Sequence, residues 1–117
     1  MQSDALPTEL PISEALRAYA IPLDHLGDRE VAWPRDKALE IVCVLQGTTW
    51  AVLGGDVLVQ RDGAFRHSYD NWYSDRRPDE AALDFVGRSH RETRDYIERY
   101  QEKETLVSYV LVFDRCI

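Results

Sequence analysis

The chain has 117 residues, 44% hydrophobic and 30% charged, with three Trp, six Tyr and three Phe. That is one domain's worth of chain, able to bury roughly two-thirds of the surface its unfolded form exposes, and it excludes a disordered or low-complexity protein. Fourteen basic against 21 acidic residues leave a net charge of −7, which disfavours polyanion binding except through a local basic patch, for which Arg76-Arg77 is the one short candidate. No apolar run approaches the ~18 residues of a membrane span. Met1-Gln2-Ser3-Asp4 has neither the basic nor the apolar stretch of a signal peptide. A cytoplasmic protein is therefore expected, with no nucleic acid and no membrane among its partners. Acid is concentrated near both ends: residues 1–34 carry two basic and six acidic side chains, and residues 79–105 carry five and eight. Such a field speeds encounter with a basic protein, and it serves solubility equally well.

Residues 1–10 contain Pro7 and no periodicity, and read as an extended lead-in. From Pro11, Ile12, Ala15, Leu16 and Tyr19 recur at i, i+3, i+4 and i+7, the stripe of a short helix capped by Ser13 and ended by Pro22. Leu23 to Val31, with Gly27 and several charges, reads as a connecting loop. Trp33-Pro34 places a proline in a first turn, and Ala38, Ile41, Val42 and Leu45 then keep helical spacing up to Gln46. The β-branched Ile41, Val42 and Val44 leave a strand as the alternative there. After Gly47 the pattern turns to strands: Thr49 to Leu53, then Val57 to Gln60 beyond Gly54-Gly55. An Asp62-Gly63 hairpin turn returns the chain into Ala64 to Tyr69. Asp70 to Arg77 reads as a loop or irregular strand end.

Asp79 to about Glu102 reads as one long helix with Ala82, Val86, Ser89, Thr93, Tyr96, Ile97 and Tyr100 on one face. Its outer face carries Arg88/Glu92, Arg91/Asp95, Arg94/Glu98 and Asp95/Arg99 four apart, each pair worth ~0.3 kcal/mol. Leu106 to Phe113 is a buried strand by its β-branched content. The order α-α-β-β-α-β implies a small single α+β domain over residues 1–117, with a mainly antiparallel sheet of three to four strands covered by helices.

Chemistry-bearing groups are sparse. Cys43 lies in an apolar run where a free thiol behaves as a small hydrophobe, and Cys116 has no CxxC partner. His25, His67 and His90 show no metal-ligand spacing, so no metal and no cofactor are expected. Ser68, His67 and Asp70 are too close in sequence to stack as nucleophile, base and orienter, since adjacent strand residues point to opposite faces. Gly54-Gly55-Asp56 lacks a phosphate-loop context and reads as a bulge or tight backbone approach within a sheet. Asp56, Asp70 and Asp75 would need to converge to act as paired carboxylates, and nothing in their spacing requires it.

The aromatic and polar run Tyr69-Asp70-Asn71-Trp72-Tyr73 with Asp75 suits recognition of a protein surface, because Tyr and Trp bury large area at low entropic cost. Trp72 serves equally as an anchor for a partner or as a pin holding the loop to the core. Together with Trp33 and Ala38-Leu39, the run Leu53-Gly54-Gly55-Asp56-Val57, the Asp62-Gly63 hairpin and Tyr96-Ile97, this run resembles the immunity protein 40 family of bacterial polymorphic toxin systems over residues 12 to 113. The resemblance implies a non-enzymatic antitoxin that occupies a cognate toxin C-terminal domain, and it supplies no catalytic residues. The −7 charge points to a basic toxin. From side-chain chemistry, the partner-binding residues are Asp56, Tyr69, Asp70, Asn71, Trp72, Tyr73 and Asp75. Two alternatives stand beside this reading. One is a small enzyme, which would need His67, Asp56 and Asp70 in one pocket; the other is a module that self-associates through a strand edge.

Overall fold

The computed structural model describes residues 6–27, 30–100 and 106–116. In the lead-in, the Arg17 guanidinium donates to the carbonyls of Pro7, Thr8 and Leu10 at 3.2, 3.2 and 2.7 Å. This satisfies backbone acceptors of a segment with no partner strand. Helix α1 (Glu14–Arg17) is a single turn whose Leu16 N–H is accepted by the Ser13 hydroxyl at 3.1 Å, the cap its sequence implies.

The stretch expected as a loop holds more order than that. Strand β1 (Ile21–Pro22) leads into a 3-10 turn, Asp24–Leu26, closed by Gly27 at φ 71°, and β2 (Val31–Pro34) follows; Asp28 and Arg29 of that loop lie outside the described residues. Trp33 is thus a strand residue, fully buried and paired with Tyr109. Pro34 keeps extended backbone ahead of helix α2 (Arg35–Val44). Tertiary pairing of Trp33 outweighs the local preference for starting the helix at the proline. On α2 the expected stripe Ala38, Ile41, Val42 and Leu45 is buried. Cys43, placed with the apolar run by its neighbours, is exposed instead, because each helical step turns the side chain by about 100°.

Strand β3 (Trp50–Arg61) is one continuous element that runs on through the glycine pair, as expected. The Asp62-Gly63 turn has φ 55° and 79°, the doubly positive geometry of a tight hairpin. Strand β4 (Ala64–Tyr73) runs past Tyr69, so of the two readings of Asp70 to Tyr73 the irregular strand end holds. Helix α3 (Ala82–Arg99) buries Phe85, Val86, Ser89, His90, Thr93 and Ile97; its expected end near Glu102 lies outside the described residues. Of the four charge pairs read along it, Arg88/Glu92 closes at 3.1 Å. Strand β5 (Val107–Arg115) completes a five-stranded antiparallel sheet of order β1-β2-β5-β3-β4. The architecture is the expected α+β class with more strands, since β1 and β2 are too short to show a period-2 pattern.

Alternation divides the sheet into two faces. On the inner face Trp33, Val52, Val57, Tyr109 and Leu111 pack with Ala38, Ile41 and Leu45 of α2 and Ile97 of α3. On the outer face Ala32, Leu58 and Val110 meet Leu23, with Ile21, Leu26 and Phe65 against them. Where β4 stops, α3 takes over the free edge of β3. The Ser89 hydroxyl accepts from the Val52 N–H at 3.1 Å, and the His90 Nε2–H donates to the Trp50 carbonyl at 2.7 Å. These bonds explain why a serine and a histidine are buried in this helix.

Candidate partner-binding face

The register of the β3–β4 hairpin decides where each side chain of the aromatic run goes. Gly54 pairs with Tyr73, Gly55 with Trp72 and Asp56 with Asn71, and the ladder then resumes at Leu58 with His67. One residue of β3, Val57, therefore stands opposite three of β4, a bulge that the Ser68 hydroxyl closes by donating to the Val57 carbonyl at 2.6 Å and accepting from the Asp70 N–H at 3.1 Å. A second register shift, against β5, falls between Val52 and Gly54. The glycine pair thus sits where the sequence implied a bulge and a close backbone approach. A side chain at Gly54, φ 154°, would run into the Trp72 carbonyl, and one at Gly55 would run into the Val110 carbonyl and the Trp72 ring.

With Gly55 bare, Trp72 lies inward across it. Its ring stacks on Tyr96 at 4.7 Å and meets Tyr109 edge-on at 6.3 Å, and its Nε1–H donates to the Thr93 hydroxyl at 3.0 Å. Trp72 is therefore partly buried against the inner core. The residues two away from it follow the same side. The Asp70 carboxylate, though exposed, accepts from the Tyr100 hydroxyl at 2.7 Å, and the Ser74 hydroxyl donates to Glu92 at 2.6 Å. Burial, and after it the Asp70 charge, holds the Tyr96 phenol above its usual pKa.

The chain after β4 is tied down on this same side. Arg88 donates to Glu80 at 2.7 Å, to Glu92 at 3.1 Å and to the Asp75 carbonyl at 2.8 Å. The Arg88 hydrogen bond holds the Glu80 carboxyl at about 2. The Ser74 hydrogen bond, with Arg88 after it, also holds Glu92 below the carboxylate range.

The intervening residues go the other way. Tyr73 is 73% exposed, Asn71 is exposed, and Asp56 stands beside them. Together with Leu53, Gly54 and Val112 they line an open trough of about 390 Å³ on the outer face of the sheet. Its floor at Gly54 is bare backbone. Tyr69 lies at the bulge, 86% exposed, with its ring 6.0 Å from that of His67. Its φ of 71° is unfavourable for a bulky residue, by roughly 1–2 kcal/mol. Asp75 is exposed on a smaller shelf next to the trough, with Leu53, Tyr73 and Cys116.

Of the seven residues read from sequence, the fold brings Asp56, Asn71 and Tyr73 together in the trough and sets Tyr69 and Asp75 at its margins. It packs the Trp72 ring against the core while Trp72 still borders the trough, and it hydrogen-bonds Asp70 to Tyr100 at the end of α3. Leu53 and Val112 join the trough without having been expected. Val112 sits in a run read as buried throughout, yet it is exposed where it pairs with Gly54. His67 and Asp56 do not meet Asp70, which lies on the helical side. Among the described residues no three His, Cys, Asp or Glu side chains gather in a metal-binding arrangement, and no helix is long and apolar enough to cross a membrane.

A family model described as Immunity protein 40 matches residues 22–113, which span β1 through most of β5 and include the whole trough. No curated protein and no solved structure matches the chain.

Proposed function

We propose that this chain, which belongs to the immunity protein 40 family, protects its cell by binding the C-terminal domain of a cognate polymorphic toxin in the cytoplasm. It acts stoichiometrically and has no catalytic role. The contact surface is the open half of the outer sheet face, with Tyr73 and Asn71 at its centre, Asp56 and Val112 beside them, and Tyr69 and Asp75 at the rim.

One observation carries this reading. A tyrosine exposed over most of its surface stands beside a glycine-floored trough on the outer sheet face, and tyrosine is among the residues from which interface hot spots are built. The carboxylates of Asp56 and Asp75, in a chain of net charge −7, favour a basic surface on the toxin and make association sensitive to salt.

The test is co-expression with the toxin domain and pull-down of the purified pair. Tyr73→Ala should weaken binding by about 2 kcal/mol, roughly 30-fold in Kd, and leave the melting temperature within a degree or two. Trp72→Ala should do the reverse in character, lowering stability first because it empties the space over Gly55. Wild-type affinity in both Tyr73→Ala and Asn71→Ala would move the interface elsewhere.

A further inference from the structure

A second concavity lies on the helical side of the sheet, away from the trough. It has a volume of about 270 Å³ and is formed where the chain leaving α2 meets α3 between Leu83 and Arg94, with Gln46, Val86, Gly87, His90, Arg91 and Arg94 around it. Among the described residues no carboxylate lines it, in a chain with seven more acidic than basic residues. With the Gln46 amide turned as its neighbours require, its oxygen accepts from both terminal nitrogens of Arg94 at 3.1 Å, which fixes that guanidinium at the cavity wall. Among the described residues, neither Arg91 nor Arg94 forms an ion pair with a carboxylate.

Two further features belong to the same place. Gly87 interrupts an 18-residue helix at a cost of about 1 kcal/mol relative to Ala. A side chain there would meet only Arg91 Nη1, at an ordinary 3.5 Å, so packing does not demand glycine. What its bareness provides is room beneath the Arg91 guanidinium. His90, 3% exposed, is held below its usual pKa by burial first, with the nearby Arg94 and Arg91 charges acting in the same direction.

We propose that this cavity binds a small oxyanion, a phosphate or carboxylate group held between Arg91 and Arg94. A planar guanidinium with free N–H donors matches such a group bidentately, and a second one fixed in place by Gln46 supplies the opposing contact. The site is independent of the toxin-binding reading, since it shares no residue with the trough.

Inorganic phosphate and acetate, titrated separately into the full chain, test it through the arginine side-chain and His90 ring resonances, with sodium chloride at matched ionic strength as control. Saturable shifts at Arg91, Arg94 and His90 are expected with at least one oxyanion. Arg91→Gln should weaken that binding tenfold or more without changing the fold, because Arg91 is exposed and has no ion-pair partner among the described residues, while Arg99→Gln on the same helix should leave it unchanged. Phosphate against acetate identifies which oxyanion the site takes. Linear shifts with both, equal shifts with chloride, or equal weakening by Arg91→Gln and Arg99→Gln would each overturn the proposal.

Discussion

The two ends of the outer sheet face are built by the same strands and finished differently. At one end Ala32, Leu58, Val110 and Phe65 lie under Leu23, Leu26 and Ile21, and the His25 Nε2–H donates to the Phe65 carbonyl at 2.9 Å to hold that cover across the sheet. At the other end Gly54, Asp56, Asn71, Tyr73 and Val112 line an open trough with none of the described residues above it. The covered end spends its apolar side chains on the fold. The uncovered end keeps two tyrosines, one carboxamide and one carboxylate in water, where they contribute little to stability and stay available to a partner. A sheet face need not be wholly core or wholly surface, and here a short segment between two small strands sets the boundary.

The comparison breaks most visibly at its covered end. Leu23 is fully buried, so Leu23→Ala should destabilise the protein by about 3 kcal/mol in urea unfolding. A loss below about 1 kcal/mol would mean that the cover is not packed and that the two ends are alike. At the uncovered end the expected sign is opposite. Tyr69→Gly relieves a positive φ and should raise stability by up to about 1 kcal/mol while lowering affinity for the toxin; a variant that is both less stable and fully protective would make Tyr69 structural.

The smallest effect concerns the Asp75 to Glu80 shelf. The Glu80 carboxyl lies at about 2 in the folded state against an ordinary 4.5. A depressed carboxylate pKa adds stability that is complete above about 4.5 and is lost as the pH falls towards about 2. Hydrogen exchange over 75–80 should therefore quicken in that window while residues 21–27 stay protected, and Glu80→Gln should flatten the dependence. An unchanged pH profile in Glu80→Gln would assign the acid response to other groups.

Much of the scaffold was legible in the residues because local chemistry determines it. Ser13 caps a helix with its hydroxyl, Asp62-Gly63 tolerates two positive φ values, and the Ala38 to Leu45 stripe has a helical period. The candidate site was legible as composition and not as geometry. Asp70, Trp72 and Ser74 look as suited to a partner as Asn71 and Tyr73 do, but strand alternation sends one set to α3 and the other to water. A segment legible only as a loop or irregular strand end does not show that alternation. The burial of Ser89 and His90 was illegible for a related reason: their partners are backbone groups of β3, 37 and 40 residues away.

The sequence by itself determined the α+β class, the hairpin, the strained approach at Gly54-Gly55 and the stock of aromatic side chains, because turn chemistry, periodicity and side-chain size act over a few residues. Only the tertiary structure decided which of those aromatic side chains face outward, which end of the sheet is covered, and that two arginines of an acidic chain share a cavity. Each of these depends on register and on contacts between segments far apart in the chain, and a shift of one residue in β4 would exchange Trp72 for Tyr73.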